Sequence, residues 1–436
     1  MDALKVLHDY CYVESQHPVP QVGAPAHLAY DPSASMPAVQ VDLDASGFVR
    51  MTVTVEPADM RQALAAARDD LVTNLKGDPA DEAQVRQLRE RMGERDFDMQ
   101  VSSVARTYFL SAAVLRTGLF PMLQPDARGL DVIDPAALDA PYSFAVTFPI
   151  LPSSELTSYE PVDVEVPERP AISGEEMNER MREMAGDAGV PEPGTDEFTK
   201  MHAEAVRQLG AEASARWSDE LMTRCNHELS RRLVSDPPLG HVQLVTTQMC
   251  ADVDRRLREQ GSSYAQYVSA PGFDRKAFER DLREQAELTL RTSIAVDALA
   301  EHVGVMVNRR ELLESVGERA AGDDHDRPII ALMMMTGQLP ELLQVARRYK
   351  TSDMLARRSL ALYESRHAES PEAQAETQAQ TDAANAMAGG MPARDEPGAD
   401  GQVPVPDAPD APSAGGRVSP FAAGAAGEAP AGEPRA

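Results

Sequence analysis

Between about Ala215 and His302 the sequence carries three apolar stripes at helical spacing, separated by chemically marked joints. Trp217, Leu221, Cys225, Leu229 and Leu233 recur every four residues, which lines one face of a helix. Ser235-Asp236-Pro237-Pro238 ends it, because a proline has no N–H to donate and restricts the residue before it. Val242, Val245, Met249, Val253 and Leu257 mark a second helix, with Gly261 as its C-terminal cap. Tyr264, Tyr267 and Val268 lead through Pro271-Gly272 into a third helix, which carries Phe278, Leu282, Ala286, Leu290, Ile294, Ala298 and Leu299. Stripes this narrow suit long helices packed side by side as arms. They do not suit helices sunk in a thick core.

Upstream the period changes from four to two. Val41 and Leu43, then Val49, Met51, Val53 and Val55, alternate with polar residues around Ala45-Ser46-Gly47, the pattern of a half-buried hairpin. Pro57-Ala58-Asp59 opens a helix through Leu71, broken at Gly77-Asp78-Pro79. A charged helix near Glu82 to Met92 and another near Met99 to Leu115 follow, and Tyr142, Phe144, Val146, Phe148 and Ile150 alternate as a strand. Strand, strand, helices, strand is an α+β unit with helices on one face of an antiparallel sheet. Residues 1 to 15 suit a short helix or strand, and Pro and Ala make residues 16 to 40 a linker.

From Leu151 to Pro170 the chain is punctuated by prolines, and reads as a long strand-like strap. Ser173 with Glu176, and Asn308 with Glu311, are capping boxes that start helices. Between them the pattern places a helix from Met177 to Met184, a joint over Gly186 to Gly194, and a helix from Asp196 to Leu209. Past the arms come an acidic turn at Gly322 to Asp326, a helix opened by Pro328, and a last helix from about Pro340 to Tyr363, with a break at Thr351-Ser352. Beyond Arg366 no apolar periodicity remains, so the tail cannot offset the entropy of ordering it. The expected division is an extension and linker over 1–40, an α+β domain over 41–150, the strap over 151–172, an elongated helical arm domain over 173–366, and a disordered acidic tail over 367–436.

A formal net charge of −28 repels nucleic acid and anionic lipid, which argues against DNA or a membrane as partner. Aromatics at 5% are thin for a compact enzyme, and three cysteines fit a reducing compartment rather than a disulfide framework. No basic stretch followed by an apolar core opens the sequence, and no window approaches the roughly 20 apolar residues of a membrane span, so a cytoplasmic location is expected.

Catalytic and metal motifs are missing. Neither common Gly-rich phosphate loop is present, nor a Gly-X-Ser-X-Gly elbow, so no cofactor is expected. Cys225 and His227 lie about 200° apart around a helix and cannot share a metal by themselves, which favours a small buried Cys and a surface His. The unusual feature is methionine, 20 in all, with Met333-Met334-Met335 in a run. Methionine is flexible and polarisable and suits surfaces that accept many apolar partners, although it also fills ordinary core gaps.

This pattern resembles trigger factor, the bacterial chaperone that meets nascent chains. Val41 to Leu71 resembles the start of its N-terminal domain, Gly118-Leu119-Phe120-Pro121 the close of that domain's last helix, and Tyr142 to Glu165 its strand and strap. Asp219 to His302, with Tyr267 and Pro271-Gly272-Phe273, is similar to its first arm pair, and Thr336 to Leu339 and Lys350 to Leu355 to its last helices. Two departures stand out. Where the family docks on the ribosome through a Gly-Phe-Arg-X-Gly-Lys loop, this chain has Leu75-Lys76-Gly77-Asp78-Pro79-Ala80-Asp81-Glu82, a poor partner for RNA phosphates. Where the family inserts a prolyl isomerase domain, Met184 to Thr195 joins the two sides directly.

The resemblance implies an ATP-independent chaperone without isomerase activity, assisting protein folding and transport by shielding apolar segments of nascent or unfolded polypeptides. Candidate client contacts are Met249, Val253, Leu257, Met333, Met334 and Met335. Ribosome contact and a homodimer both stay open. Two alternatives remain: a scaffold or assembly factor dedicated to one partner, and a trigger factor that retains isomerase activity.

Overall fold

Period-two burial builds the sheet. In β1 (Ala38–Leu43) and β2 (Phe48–Val55), Val39, Val41, Val49, Met51, Val53 and Val55 are buried, while Gln40, Asp42 and Arg50 are exposed. β2 also pairs antiparallel with β3 (Tyr142–Pro149), giving the order β1-β2-β3 with Val41, Met51 and Val146 aligned across it. The computed structural model describes residues 37–44, 47–123, 125, 131–186, 189–269 and 272–368. The element expected over residues 1 to 15, the linker as far as residue 36, Ala45-Ser46, Pro271 and the tail from residue 369 lie outside the described residues.

Helices α1 (Pro57–Asn74), α2 (Glu82–Met92) and α3 (Glu94–Thr117) follow β2. Pro57 suits the first helical turn, where its missing N–H has no partner to lose. Met60, Ala63, Leu64 and Ala67 of α1 and Val104, Tyr108, Ala112 and Leu115 of α3 join the sheet's buried face in one core. The architecture is α+β.

That core also draws on residues far downstream. Val307, Leu312 and Leu313, Ile330, Met333, Met334, Leu339 and Leu343 are buried in it. They come from α9 (Arg309–Ser315), α10 (Asp323–Met335), α11 (Leu339–Ala368) and the approach to α9. By compactness the chain divides into two units, one from the described residues of Met1–Tyr159 and Leu229–Ser352, the other from those of Glu160–Glu228 and Asp353–Gly416. The first thus holds the sheet and most of the arm segment, a different grouping from the linear division of the sequence.

In the second unit α4 (Gly174–Ala185) opens on the Ser173–Glu176 capping box, with both bonds formed. It pairs with α5 (Asp196–Ser230) through Arg180, whose two terminal nitrogens donate to Glu212 at 2.8 and 2.9 Å. The strap's residues in this unit have no strand partner among the described residues and are held by side chains instead. Trp217 Nε1 donates to Pro167 O at 2.7 Å, Arg224 donates to Glu165 O at 3.0 Å, and Val162 N donates to Ser359 Oγ at 3.1 Å.

Four helix limits differ from the sequence pattern. α5 is one 35-residue helix running through Gly210, not two. A lone helical glycine costs only about 1 kcal/mol, which the buried Leu209 and Ala213 on either side offset. The helix stops at Ser230, and Leu233 leaves it to form an isolated antiparallel bridge with Leu156. α10 begins at Asp323, so the expected acidic turn is its first turn and Pro328 lies inside the helix. α11 is unbroken at Thr351 and Ser352, both fully buried, with Thr351 Oγ1 donating back to Arg347 O at 2.8 Å.

Candidate functional site

The arm is α6 (Leu239–Glu259), α7 (Tyr264–Val268) and α8 (Arg275–Val303). Its two long stripes meet each other. Val242 and Met249 of α6 pack with Leu282, Ala286 and Leu290 of α8, and Val245, Cys250 and Phe278 flank them. The caps follow the sequence: Asp274 accepts from Ala277 N to start α8, Gly304 ends it in the left-handed region, and Gly261 turns the chain after α6 with φ +76°. At the far end Tyr264, Tyr267, Phe273 and Phe278 form a cluster with ring centroids 5.0 to 6.4 Å apart, all half-buried. Burial pushes the Cys250 thiol and the Tyr264 hydroxyl beside it upward in pKa.

The arm's base is tied to the sheet. His241, 2% exposed, has Nε2 2.9 Å from Ile150 O, and Ile150 N donates to Gly47 O at 3.0 Å. Met122 N donates to Pro149 O at 2.8 Å, and Met122 packs against the arm's seam.

Beside this base runs a groove of about 730 Å³ between α3 and the corner joining α10 to α11. Ser103, Thr107 and Ser111 line one wall; Met335 to Gln338 and Pro340 line the other, with Pro121, Met122 and Pro125 at the end. Among the described residues that line it, Glu341 is the one that carries a charge. Such a surface offers methionine sulfur, proline rings and neutral hydroxyls, which accept an uncharged, partly apolar segment without demanding a particular sequence.

The six residues expected to touch a client fall in three places. Met249 is 9% exposed within the α6–α8 seam, and Val253 and Leu257 are half-buried further along α6. Met333 and Met334, 6% and 2% exposed, belong to the core under the sheet, whereas Met335 is half-exposed in the groove. The run therefore splits as a three-residue helical arc must, with one member turned outward. Met122, Pro121, Pro125 and the hydroxyl wall of α3 carried no periodic signal. The aromatic cluster did: Tyr264, Tyr267, Phe273 and Phe278 crowd into fifteen residues of a chain with 5% aromatics.

Between α1 and α2, the acids of the Leu75 to Glu82 segment have folding roles. Asp78 accepts from Ala80 N at 2.9 Å. Asp81 caps α2, and the backbone N–H groups of Ala83 and Gln84 hold its carboxyl below the usual range. Among the described residues no group of His, Cys, Asp or Glu could hold a metal ion, and no single helix is long and apolar enough to cross a membrane.

Residues 198–357, from the start of α5 to well inside α11, match the family model of the bacterial trigger factor C-terminus. In its helical body the chain is trigger factor-like. A trigger factor from Geobacillus thermodenitrificans (strain NG80-2) is 26% identical over 156 residues, 36% of this chain and 35% of that protein. One from Geobacillus sp. (strain WCH70) is 26% identical over 124 residues, 28% of each. The trigger factor-like chain thus aligns with about a third of the length of these curated relatives. No solved structure matches it. The family match begins after α4 and takes in the arm, its aromatic end and the Met335 side of the groove.

Proposed function

We propose that this protein is an ATP-independent holding chaperone of the trigger-factor type, which shields apolar segments of newly made or unfolded polypeptides. The observation that carries this reading is the groove along α3, whose described lining carries a single charge, in a chain of net charge −28. A surface almost free of charge on so acidic a protein serves an uncharged ligand. Met335 and Met122 give it the adaptability that many different segments need. The half-buried aromatic cluster and Val253 and Leu257 offer a second apolar contact on the arm. The mechanism is burial of client surface, worth about 25 cal/mol per Å² of apolar area, with no covalent step.

The direct connection from α4 to α5 supports a reading in which the protein acts without isomerase chemistry. It works in the cytoplasm, and its ribosome contact, if made, does not use the Leu75 to Glu82 segment. The test is suppression of aggregation of a denatured client without nucleotide. Suppression near stoichiometric ratio supports the reading; no suppression at several-fold excess overturns it. Suppression confined to one client in a broad panel would assign the protein to a single dedicated partner instead.

A further inference from the structure

The groove between α3 and the α10–α11 corner holds two serine hydroxyls with nothing to bond. Ser103 and Ser111 line its α3 wall and are 9% and 3% exposed, and neither hydroxyl has a hydrogen-bond partner among the described residues. Other hydroxyls of the same helix behave differently. Thr107 Oγ1 donates to Ser103 O at 2.9 Å, Ser102 Oγ to Asp98 O at 2.7 Å and Thr117 Oγ1 to Ala113 O at 2.9 Å, the ordinary bond from a helical hydroxyl to the preceding turn. Ser103 and Ser111 leave that bond unmade. A buried hydroxyl is costly without a partner, and a client that covers the groove expels the water that reaches these two. The client must therefore bring donors or acceptors of its own.

We propose, resting on the chaperone reading above, that the groove takes client segments in extended form and hydrogen-bonds their backbone through Ser103 and Ser111. Three observations favour an extended over a helical segment. The first is supply. A helix uses its N–H and C=O groups internally and has none along its length to offer the wall. An extended segment turns a free N–H and C=O to one side at every second residue.

The second is spacing. Ser103 and Ser111 stand eight residues apart on α3, a rise of about 12 Å. Backbone groups four residues apart in an extended segment are about 13 Å apart. The lining from Gln100 to Val114 rises about 21 Å, enough for about six extended residues. The third is neutrality of choice. A hydroxyl donates or accepts, so it bonds a C=O or an N–H, with the segment running in either direction. Thr107, midway between the serines, has its hydroxyl committed to Ser103 O, which leaves two contact points on this wall. Such contacts read backbone and ignore side chains, as a surface for many different clients requires.

The experiment measures binding of a fluorescent, end-blocked ten-residue peptide of Leu, Ala and Gln to the full chain. The peptide is made in three forms: with amides throughout, with esters in place of its six central amides, and locked as a helix by a hydrocarbon staple. An ester removes the N–H donor and weakens the carbonyl while every side chain stays. The amide form should bind, the ester form at least fivefold more weakly and the stapled form at least tenfold more weakly. In the variant with Ser103→Ala and Ser111→Ala, affinity for the amide form should fall fivefold to tenfold and the ester penalty should vanish. Both substitutions raise helix propensity, so the helix that carries them is retained.

Equal or tighter binding of the stapled form would overturn the proposal, as would no binding of the amide form or an ester penalty that persists in the variant. So would an affinity for the amide form that the substitutions leave unchanged or raise, because a purely apolar wall gains by losing its hydroxyls. Suppression of client aggregation by the native chain is followed alongside. Its absence removes the chaperone reading itself, whereas suppression without preference for the amide peptide removes this proposal alone.

Discussion

The His241 ring fills the space that a side chain on Gly47 would need. A Cβ on Gly47 would lie 2.7 Å from His241 Cε1 and 2.9 Å from Nε2, and Gly47 has φ +83°. The turn after β1 and the first turn of the arm helix α6 are therefore fitted to each other. Gly47→Ala should destabilise the protein by about 2–3 kcal/mol, from the left-handed backbone plus displacement of a buried ring. Chemical denaturation checks it, and an unchanged midpoint would mean the contact yields freely.

A second joint ties α8 to α11. Arg348 donates to both oxygens of Asp297, at 2.8 and 2.5 Å, with the two side chains 12% and 27% exposed. Asp297→Ala removes the carboxylate but leaves the largely buried guanidinium. It should cost about 2–3 kcal/mol, more than the same change at an exposed pair such as Asp353 with Arg357, where less than about 1 kcal/mol is expected. Equal costs would show that burial does not amplify the first pair.

Acid should loosen α10 at its start. Asp326 is fully buried and accepts from Ala321 N at 2.9 Å, with His325 and Arg309 beside it; these hold its carboxyl below the usual aspartate range. A lowered folded-state pKa means the stabilisation is present above the unfolded value near 4 and is lost as pH falls below it. The difference in denaturation midpoint between the native chain and Asp326→Asn should be full at pH 6 and shrink as the pH is taken below 4. A difference that does not change with pH would contradict the assignment.

The two described cysteines should react differently. Burial pushes the Cys225 thiol up to about 11, whereas Cys250 is half-exposed and its thiol is raised by a smaller burial. At pH 8 an alkylating reagent should modify Cys250 first and Cys225 only after denaturant is added. Labelling of Cys225 in the native protein at the rate of Cys250 would contradict its burial.

Local rules made much of this fold readable in the sequence. The hairpin, both capping boxes, Asp274 and Gly261 each depend on neighbours within a few residues. Long-range packing was not readable in that way. Nothing within α10 says that Met333 and Met334 enter a core built around residues 39 to 150, because their partners lie more than 180 positions upstream. The stripe of Val242 and Met249 announced an apolar face but not its partner, and that partner is α8, which fills much of the surface a client might have used. Pro328 and Gly210 mislead for a related reason: a proline inside a helix costs about 3 kcal/mol and a glycine about 1 kcal/mol, and tertiary packing around each offsets the cost. The groove's α3 wall was illegible because Ser103, Thr107 and Ser111 carry no hydrophobic signal.

The chaperone account rests on the Met122–Met335 groove, and the most direct test is light scattering of a denatured client diluted into the full chain without nucleotide. The native protein should suppress scattering. The variant with Met122→Asp and Met335→Asp, assayed under conditions where circular dichroism shows it folded, should lose at least half of that suppression. Full suppression by the variant, or none by the native chain at several-fold excess, would contradict the account.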